Sequence, residues 1–418
     1  MTSMWNRMWS NGTKLARRAA LLSLMLVFAS ACAEPVDEGG VRGVTDDEIV
    51  IGGWGPQTGP YALWGSVGRG AAAYFDMINE EGGIHGRKIR FILRDDAYNP
   101  SRTVAVVREM VERDRVFAVV AGVGTATTRA VMDYLIENEV ALVSPATGAT
   151  HWAWPTKELV FAQYTPYFDE AAVLVDHVVN DLGLTKVAVI YQNDDFGQSG
   201  LIGAQLALER HGLDVVESTS VEGTDTDLNS HAVRLRASGA EAVIMWLGPR
   251  HATIIVGAVG RLGYETQWLA SSVLADVVNL YELTEGAWAG VIFAAIGELY
   301  NSDSPLMEKY RQASARIAPD ERASEFFLSG FRYAEPLVEG LRRAGRDLTT
   351  ETLVAALETF DGFQGIGAPL TYTPTRRQGT RAMFLVRTLA DGTPERFTDW
   401  IESDIDIEEA IRRLEGSE

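Results

Sequence analysis

Short apolar runs alternate with amphipathic segments along most of the chain. Ile49-Val50-Ile51-Gly52 is a β-branched run, and residues 67–80 follow with apolar positions at helical spacing. The same alternation predicts further strands at 88–93, 116–120 and 141–143, with helices at 103–114 and 127–138. Strands separated by helices of ten to fifteen residues form βαβ units, so we predict a largely parallel sheet.

A second series of the same kind follows. It predicts strands at 186–191, 213–217, 242–246, 267–270, 291–295 and 382–389, and helices at 168–182, 200–211, 228–238, 250–262, 305–317, 325–344, 349–359 and 404–414. We therefore predict two doubly wound α/β lobes with parallel sheets. Ligands of such sheets bind beyond the carboxyl ends of the strands, so two facing lobes would form a cleft for a small molecule.

Composition and charge exclude several classes of function. The 418 residues include 37 Lys and Arg against 57 Asp and Glu, a net charge of −20, which argues against nucleic-acid binding. The single cysteine excludes an internal disulfide or a cysteine-based zinc site. The six histidines lack metal-binding spacing, and the sequence has neither a G-x-S-x-G elbow nor a P-loop. We predict no catalytic residues, metal or cofactor.

The N-terminal segment has the pattern of a secretory signal. Residues 1–31 contain four basic and no acidic residues, so the rest of the chain carries 33 basic against 57 acidic residues, a net charge of −24. An apolar run at 19–29 precedes Ser30-Ala31-Cys32. We predict a signal peptide at 1–31 and a flexible tether at 32–45, rich in glycine and acidic residues.

Cys32 at the cut resembles the bacterial lipoprotein pattern, which implies a lipidated N-terminus. The single cysteine of this chain lies at this position. We therefore predict that a lipid on Cys32 anchors an extracytoplasmic protein to the membrane, and that this lipid is its only membrane contact. The alternative is that Ala29-Ser30-Ala31 is an ordinary cleavage site and Cys32 stays free.

Five segments, in this order and spacing, carry a resemblance to a known family. They are GWGPQTGPYALWG at 53–65, NEEGGIHGRK at 79–88, Asp95-Asp96, SPATGATHW at 144–152 and YQNDDFG at 191–197. Residues 46–400 resemble the periplasmic solute-binding proteins of ABC transporters, in the branched-chain amino acid (Leu/Ile/Val-binding) family with the type I two-lobe fold. The last two segments look closest to a branch associated with aromatic and other organic carboxylates.

The resemblance implies that the chain crosses a three-segment hinge near 163–166, 292–295 and 374–379. The first lobe would comprise residues 46–164 and 295–376. The second lobe would comprise residues 165–294 and 377–418.

Two loops of the first lobe match the positions where the family holds a ligand carboxylate. Thr125 falls on the hydroxyl position, where helix N-terminal N–H groups also favour an anion. The structural alternative is that Thr125 only caps the helix. Ala146, Thr147 and Gly148 match the second loop, with the hydroxyl one position early.

Other candidates lie around the predicted cleft. Trp64 matches an aromatic residue that packs on the ligand, although a core tryptophan is the alternative; Gln57 lies in the first strand–helix loop. In the second lobe, Phe196 matches a position that is often tyrosine. Arg250 lies in a loop that replaces a tyrosine-containing loop of the amino-acid binders. It either attracts an acidic ligand or is a solvated residue at the start of a helix.

The second lobe also departs from the amino-acid binders. The family places a carboxylate after the strand at 267–270 to pair the ligand ammonium, whereas this chain has Ser271 and Ser272 there. A buried ammonium without a counter-charge is costly, so an α-amino acid ligand requires a substitute among Asp194, Asp195 and Asp276.

These features predict a solute-binding protein that closes around a small organic carboxylate or amino-acid-like ligand and delivers it to an ABC transporter permease. The first alternative is a sensing module of the same fold that acts in signalling. An α/β enzyme is the third.

Overall fold

The computed structural model describes residues 40–416, and the predicted signal peptide, Cys32 and residues 33–39 of the tether lie outside them. The first sheet has five parallel strands in the order β2-β1-β3-β4-β5. They are β1 (Glu48–Gly55), β2 (Lys88–Asp95), β3 (Ala118–Val120), β4 (Ala141–Val143) and β5 (Val160–Phe161).

The second sheet follows the order β12-β11-β10-β9-β8-β6-β7, with β13 paired to β11. Its strands are β6 (Val187–Gln192), β7 (Glu217–Val221), β8 (Ala242–Trp246), β9 (Gln267–Ala270), β10 (Ile292–Ala295), β11 (Ala382–Thr388), β12 (Pro394–Arg396) and β13 (Ile401–Glu402). Strands β6 to β10 are parallel, while β11 is antiparallel to β10 and β12. Fully buried β8 is a continuous apolar run, as expected for a strand covered on both faces.

Helices connect the strands in both lobes. They are α1 (Ser66–Glu80), α2 (Pro100–Glu112), α3 (Thr125–Glu137), α4 (Tyr167–Asp176), α5 (Asp195–Arg210), α6 (Asn229–Ser238), α7 (Pro249–Arg261), α8 (Val277–Leu283), α9 (Pro305–Ile317), α10 (Glu325–Ala344), α11 (Thr350–Leu357) and α12 (Ile407–Gly416). A 3₁₀ turn at Ala62–Gly65 precedes α1, a π-helical turn at His177–Asp181 follows α4, and a 3₁₀ turn at Ser272–Leu274 follows β9.

Several elements differ from the sequence predictions. The strand predicted at 213–217 begins only at Glu217, because β7 is an edge strand whose side chains are mostly polar, and its sequence ESTSV lacks an apolar run. The helix predicted at 168–182 ends as α-helix at Asp176. Residues 292–295, predicted as a strand, form β10 inside the second sheet, and the hinge crossing predicted near them stays a prediction.

The position of helix α10 is set by its close packing against α1. A Cβ atom at Gly70 would lie 1.8 Å from the carbonyl oxygen of Phe327, and one at Gly330 would lie 2.2 Å from that of Val67. Only glycine permits this approach of the two backbones. The pair therefore fixes α10 against the first lobe.

The segments predicted to cross between the lobes near 163–166 and 374–379 lie side by side. Ala162 exchanges backbone hydrogen bonds with the segment 377–379, and Thr165 Oγ1 donates to the carbonyl oxygen of Ala382 at 2.7 Å. Residues 41–45, the end of the predicted tether, are held against the first sheet, where Arg42 Nη1 donates to the carbonyl oxygen of Asn138 at 2.6 Å. Among the helices of residues 40–416, none has the length and apolar content needed to cross a bilayer.

Candidate functional site

A cavity of about 50 Å³, partly open to solvent, lies between the ends of the two sheets. Its wall takes residues from the strand–helix loops of both sheets and from α10. The wall is formed by Trp64, Val67, Tyr98, Val123, Gly124, Ala146, Tyr164, Tyr167, Phe196, Ser272, Val273, Ala275, Ala295, Ile296, Glu325, Phe326, Ser329, Arg332 and Tyr333. Four of the predicted ligand-binding residues, Trp64, Ala146, Phe196 and Ser272, are therefore brought together.

Trp64 reaches across the cleft. Its Nε1 donates to the carbonyl oxygen of Val273 at 3.0 Å, and its ring lies edge-on to Phe196 with centroids 6.3 Å apart. Trp64 is buried and also lines the cavity, so its position is compatible with both interpretations of the sequence, ligand contact and core packing.

The two carboxylate-binding loops predicted in the first lobe are joined directly. Thr125 Oγ1 and Thr147 Oγ1 are 2.7 Å apart, and both side chains are buried. The N-cap of α3 is Gly124, with φ of 104°, and no side chain caps it. Thr125 is thus the first residue of the helix, and the hydroxyl pair lies beside Gly124 and Ala146 of the cavity wall.

Gly148 has a packing role outside this wall. A Cβ atom there would lie 2.5 Å from the carbonyl oxygen of Thr165 and 2.8 Å from the ring of Tyr167. The Tyr167 N–H also donates to the carbonyl oxygen of Gly148 at 2.8 Å. Gly148 therefore brings the Tyr167 ring, itself part of the wall, close to the loop that contains Thr147.

Two other candidates also lie outside the wall. Gln57 Nε2 donates to the carbonyl oxygen of Gly65, while its Oε1 accepts from Arg69, so Gln57 braces the loop before α1. Arg250 is the second residue of α7 and half-buried. Burial raises the pKa of the nearby Tyr61 well above its usual range, and the positive charge of Arg250 acts in the opposite direction.

Sequence patterns did not indicate the carboxylate that lies behind the serine pair. Glu170 of α4 accepts from Ser272 Oγ at 2.7 Å, and from Ser271 Oγ and the Ser272 N–H at 3.0 Å. Ser272 also lies 2.6 Å from the hydroxyl of Tyr164. Burial raises the pKa of Glu170 to about 7, although these hydrogen bonds lower it.

The sequence suggested Asp194, Asp195 or Asp276 as a substitute for the family's ammonium-pairing carboxylate, but the carboxylate that contacts the serine pair is Glu170. Asp194 caps α5 by accepting from the Gly197 N–H, and Asp195 pairs with Arg129 across the cleft at 2.7 Å. Asp276 caps α8 by accepting from Asn279. The carboxylate nearest the serine pair instead comes from a helix about one hundred residues earlier in the chain, a pairing that no local motif reveals.

A second carboxylate and a guanidinium form one end of the cavity. Glu325 and Arg332 both line it, and both lie on α10. Burial raises the pKa of Glu325 to about 8, although Arg332 lowers it. No sequence pattern indicated these residues, because charged positions on a long helix are usually solvated.

Comparison with known proteins places the chain in one family. Residues 48–393 match the family of periplasmic binding proteins. An amino acid binding protein of Pseudomonas aeruginosa is 32% identical over 199 residues, which are 47% of this chain and 53% of that protein. Leu/Ile/Val-binding protein homolog 3 of Brucella melitensis is 28% identical over 332 residues, 78% of this chain and 88% of that protein. The chain thus spans about half the length of the first relative and most of the second.

A solved structure agrees with the sequence comparison. A substrate-binding periplasmic protein from Ralstonia solanacearum has a TM-score of 0.78 and 29% identity, covering 84% of this chain and 100% of that one. The predicted fold class and family resemblance are confirmed. The chain belongs to the periplasmic binding protein family, is related to its Leu/Ile/Val-binding members, and has their type I fold of two α/β lobes.

Proposed function

We propose that this protein is an extracytoplasmic solute-binding lipoprotein that captures a small organic carboxylate or amino-acid-like ligand between its lobes and delivers it to an ABC importer. The observation that carries the proposal is the cavity, whose wall is shared by loops of both sheets. A ligand in such a place contacts both lobes only when they are closed, so it stabilises the closed form by its differential affinity.

Contacts across the cleft support closure as the working motion. Tyr61, Trp64 and Arg129 of the first lobe bond to Gln192, Val273 and Asp195 of the second. The Tyr61 and Trp64 contacts are buried, whereas the Arg129–Asp195 pair is partly exposed, and exposed ion pairs contribute little. So few contacts between the lobes would let the cleft reopen. Contacts made by a bound ligand would add to the stability of the closed form.

Local chemistry supports an anionic group on the ligand. The N-terminus of α3 has no side-chain cap, and the Thr125–Thr147 hydroxyl pair lies beside it. Free N–H groups at a helix N-terminus favour an anion. The same arrangement fits the α-carboxylate of an amino acid, and two relatives are named for binding amino acids.

An ammonium group would meet Ser272, with Glu170 directly behind it. The Glu170 carboxylate accepts three hydrogen bonds from the serine pair, so its charge is already compensated there. A carboxylate in this state pairs an ammonium only through the intervening hydroxyl. We therefore favour a carboxylate without an α-ammonium over an α-amino acid.

Binding is tested by thermal shift and isothermal titration calorimetry with a panel of short acids and amino acids, including leucine. Native mass spectrometry of the purified protein identifies any ligand that co-purifies. We expect at least one panel member to bind and be recovered unchanged. If no member of the panel changes the melting temperature or produces a heat of binding, the proposed function is wrong.

Membrane attachment is a separate part of the proposal, since Cys32 lies outside the described residues. The intact mass of the mature protein from a bacterial membrane fraction measures acylation directly. We expect an acylated Cys32 in the wild type and release of Cys32→Ser from the membrane. An unmodified Cys32 in a protein that is fully released would support ordinary cleavage after Ala31.

A further inference from the structure

The end of the cavity formed by α10 contains a buried ion pair that is incompletely satisfied. Glu325 and Arg332 are seven residues apart, which places them on one face of the helix. Their side chains are 8% and 7% exposed, and Arg332 Nη1 lies 3.9 Å from Glu325 Oε1. That separation exceeds hydrogen-bond length, so the pair attracts without bonding.

The guanidinium keeps donors available at this end. Nη2 donates to the hydroxyl of Tyr333 at 3.1 Å. Nε is buried, and within residues 40–416 it has no hydrogen-bond partner. Arginine stays charged in proteins, and a buried unpaired donor is costly, so Nε requires an acceptor, and Arg332 lines the cavity that such an acceptor would enter.

The backbone makes room for this side chain. A Cβ atom at Gly297 would lie 2.5 Å from Arg332 Nη1, and one at Gly367 would lie 3.2 Å from Arg332 Cδ. These two glycines pair with each other in an isolated β-bridge. The guanidinium is therefore held in a slot of defined shape, as a recognition group requires.

Neighbouring carboxylates do not take up the free donors. Glu335 accepts from the hydroxyl of Tyr310 at 2.7 Å and from the Ile366 N–H at 3.0 Å. Glu325 Oε2 accepts from the Tyr300 N–H at 3.2 Å. With both acids engaged elsewhere, an additional anion at Arg332 gains charge-assisted hydrogen bonds.

A row of aromatic rings separates Arg332 from Trp64. Centroid distances along the row are 6.3 Å from Trp64 to Phe196, 5.2 Å to Tyr167, 5.5 Å to Tyr164 and 6.2 Å to Tyr333. Arg332 lies over the Tyr333 ring at 4.9 Å. The guanidinium thus stands at one end of an apolar wall.

We propose that Arg332 binds an acidic group on the ligand at the α10 end of the cavity, distinct from the group held at the start of α3. This rests on the proposed function and narrows the ligand class to small acids with two anionic groups joined by an apolar middle. When Glu325 is ionised, its charge opposes that of the bound acid and limits the affinity.

The test compares matched acids on the purified full-length protein. The pairs are hexanoate with adipate, octanoate with suberate, and benzoate with terephthalate. We expect the best diacid to bind wild type about tenfold or more tighter than its monoacid, as for hydrogen bonds to a charged group. Arg332→Met should abolish that ratio, and Arg332→Lys should restore part of it.

Two further variants separate recognition from folding. Glu325→Gln removes the charge that Glu325 carries once it is ionised, so it should tighten the diacid above about pH 8, where the wild-type side chain is a carboxylate. Arg87 is also a buried arginine, and it donates to the carbonyl oxygens of Thr45 and Arg346, so Arg87→Met should lower stability and leave the ratio unchanged. Should Arg332→Met fail to fold, Arg332→Lys and Glu325→Gln still report on the ratio.

The outcomes distinguish the two proposals. If monoacids or leucine bind wild type but no diacid binds better, the Arg332 site is wrong and the proposed function stands. The Arg332 site is also wrong if the ratio persists in Arg332→Met. If no small acid or amino acid binds at all, the proposed function fails and the Arg332 site fails with it.

Discussion

The hydroxyl of Tyr61 in the first lobe donates to Gln192 Oε1 in the second lobe at 2.9 Å, and both side chains are buried. Tyr61 also packs on the loop before α7, where a Cβ atom at Gly248 would lie 2.6 Å from its ring. Because this bond joins the two lobes, opening of the cleft would break it. Under the proposed function, the bond would therefore couple ligand affinity to lobe closure.

Tyr61→Phe should weaken ligand binding about two- to tenfold, the usual net value of one neutral hydrogen bond. Calorimetric titration with the tightest acid of the panel measures the change. Tyr281→Phe is the control, because its hydroxyl donates to Ala390 within the second lobe at 2.8 Å. An equal loss of affinity in both variants would count against the role of Tyr61 in closure.

Thr125→Val should reduce the affinity for carboxylates by about tenfold, because it removes one member of the hydroxyl pair beside the α3 N-terminus. Thr128→Val is a matched control on the same helix. The Thr128 hydroxyl is buried and, in the part of the chain that the structure describes, has no hydrogen-bond partner. Its removal should leave affinity unchanged, and an effect of Thr128→Val as large as that of Thr125→Val would contradict a ligand role for Thr125.

Trp64→Leu should lower ligand affinity by about ten- to a hundredfold, because it removes an aromatic wall and the bond to Val273. Trp288→Phe serves as the control, since Trp288 is fully buried in the core of the second lobe. We expect that control to lower the melting temperature and keep the dissociation constant. Retained affinity in Trp64→Leu would show that Trp64 is only a core residue.

Buried acids should make the protein less stable as pH rises from 5 to 8. Burial raises the pKa of Glu335 to about 7 from an ordinary value of 4.5. The folded state therefore holds this proton more tightly than the unfolded state. Its stabilising effect is complete below pH 4.5 and is lost as pH rises through about 7.

Urea unfolding at several pH values measures this effect. Asp169, Glu170 and Glu325, with pKa values raised by burial to about 6, 7 and 8, contribute in the same direction. His251, whose pKa burial lowers, opposes them on the acidic side. Glu335→Gln should flatten the pH slope relative to wild type, whereas Glu339→Gln, on the partly exposed side of the same helix, should not. An unchanged slope in Glu335→Gln would rule out this contribution.

Local patterning was enough to predict most of the fold. Helices α9 and α10 begin and end where their apolar spacing and flanking residues indicate, Ser304 capping α9 before Pro305. The edge strand β7 was predicted four residues too early, because its stability comes from pairing with β6 rather than from its own side chains. The boundaries of the lobes stay a prediction.

The site was predictable only where it follows strand–helix loops. Trp64, Ala146, Phe196 and Ser272 line the cavity, and all follow strands whose carboxyl ends meet at the cleft. Glu170, Glu325 and Arg332 were missed, because they lie inside helices and reach the cavity through packing between distant segments. The α1–α10 glycine contact that places Arg332 is likewise invisible in one sequence.

Ligand capture by lobe closure is tested most directly by small-angle X-ray scattering. The protein is first stripped of bound small molecules by unfolding and refolding, and is then measured with and without the tightest-binding acid of the panel. We expect the radius of gyration to fall on ligand addition and the scattering to approach that calculated for the closed lobes. Saturating ligand that leaves the radius of gyration unchanged would contradict capture by closure.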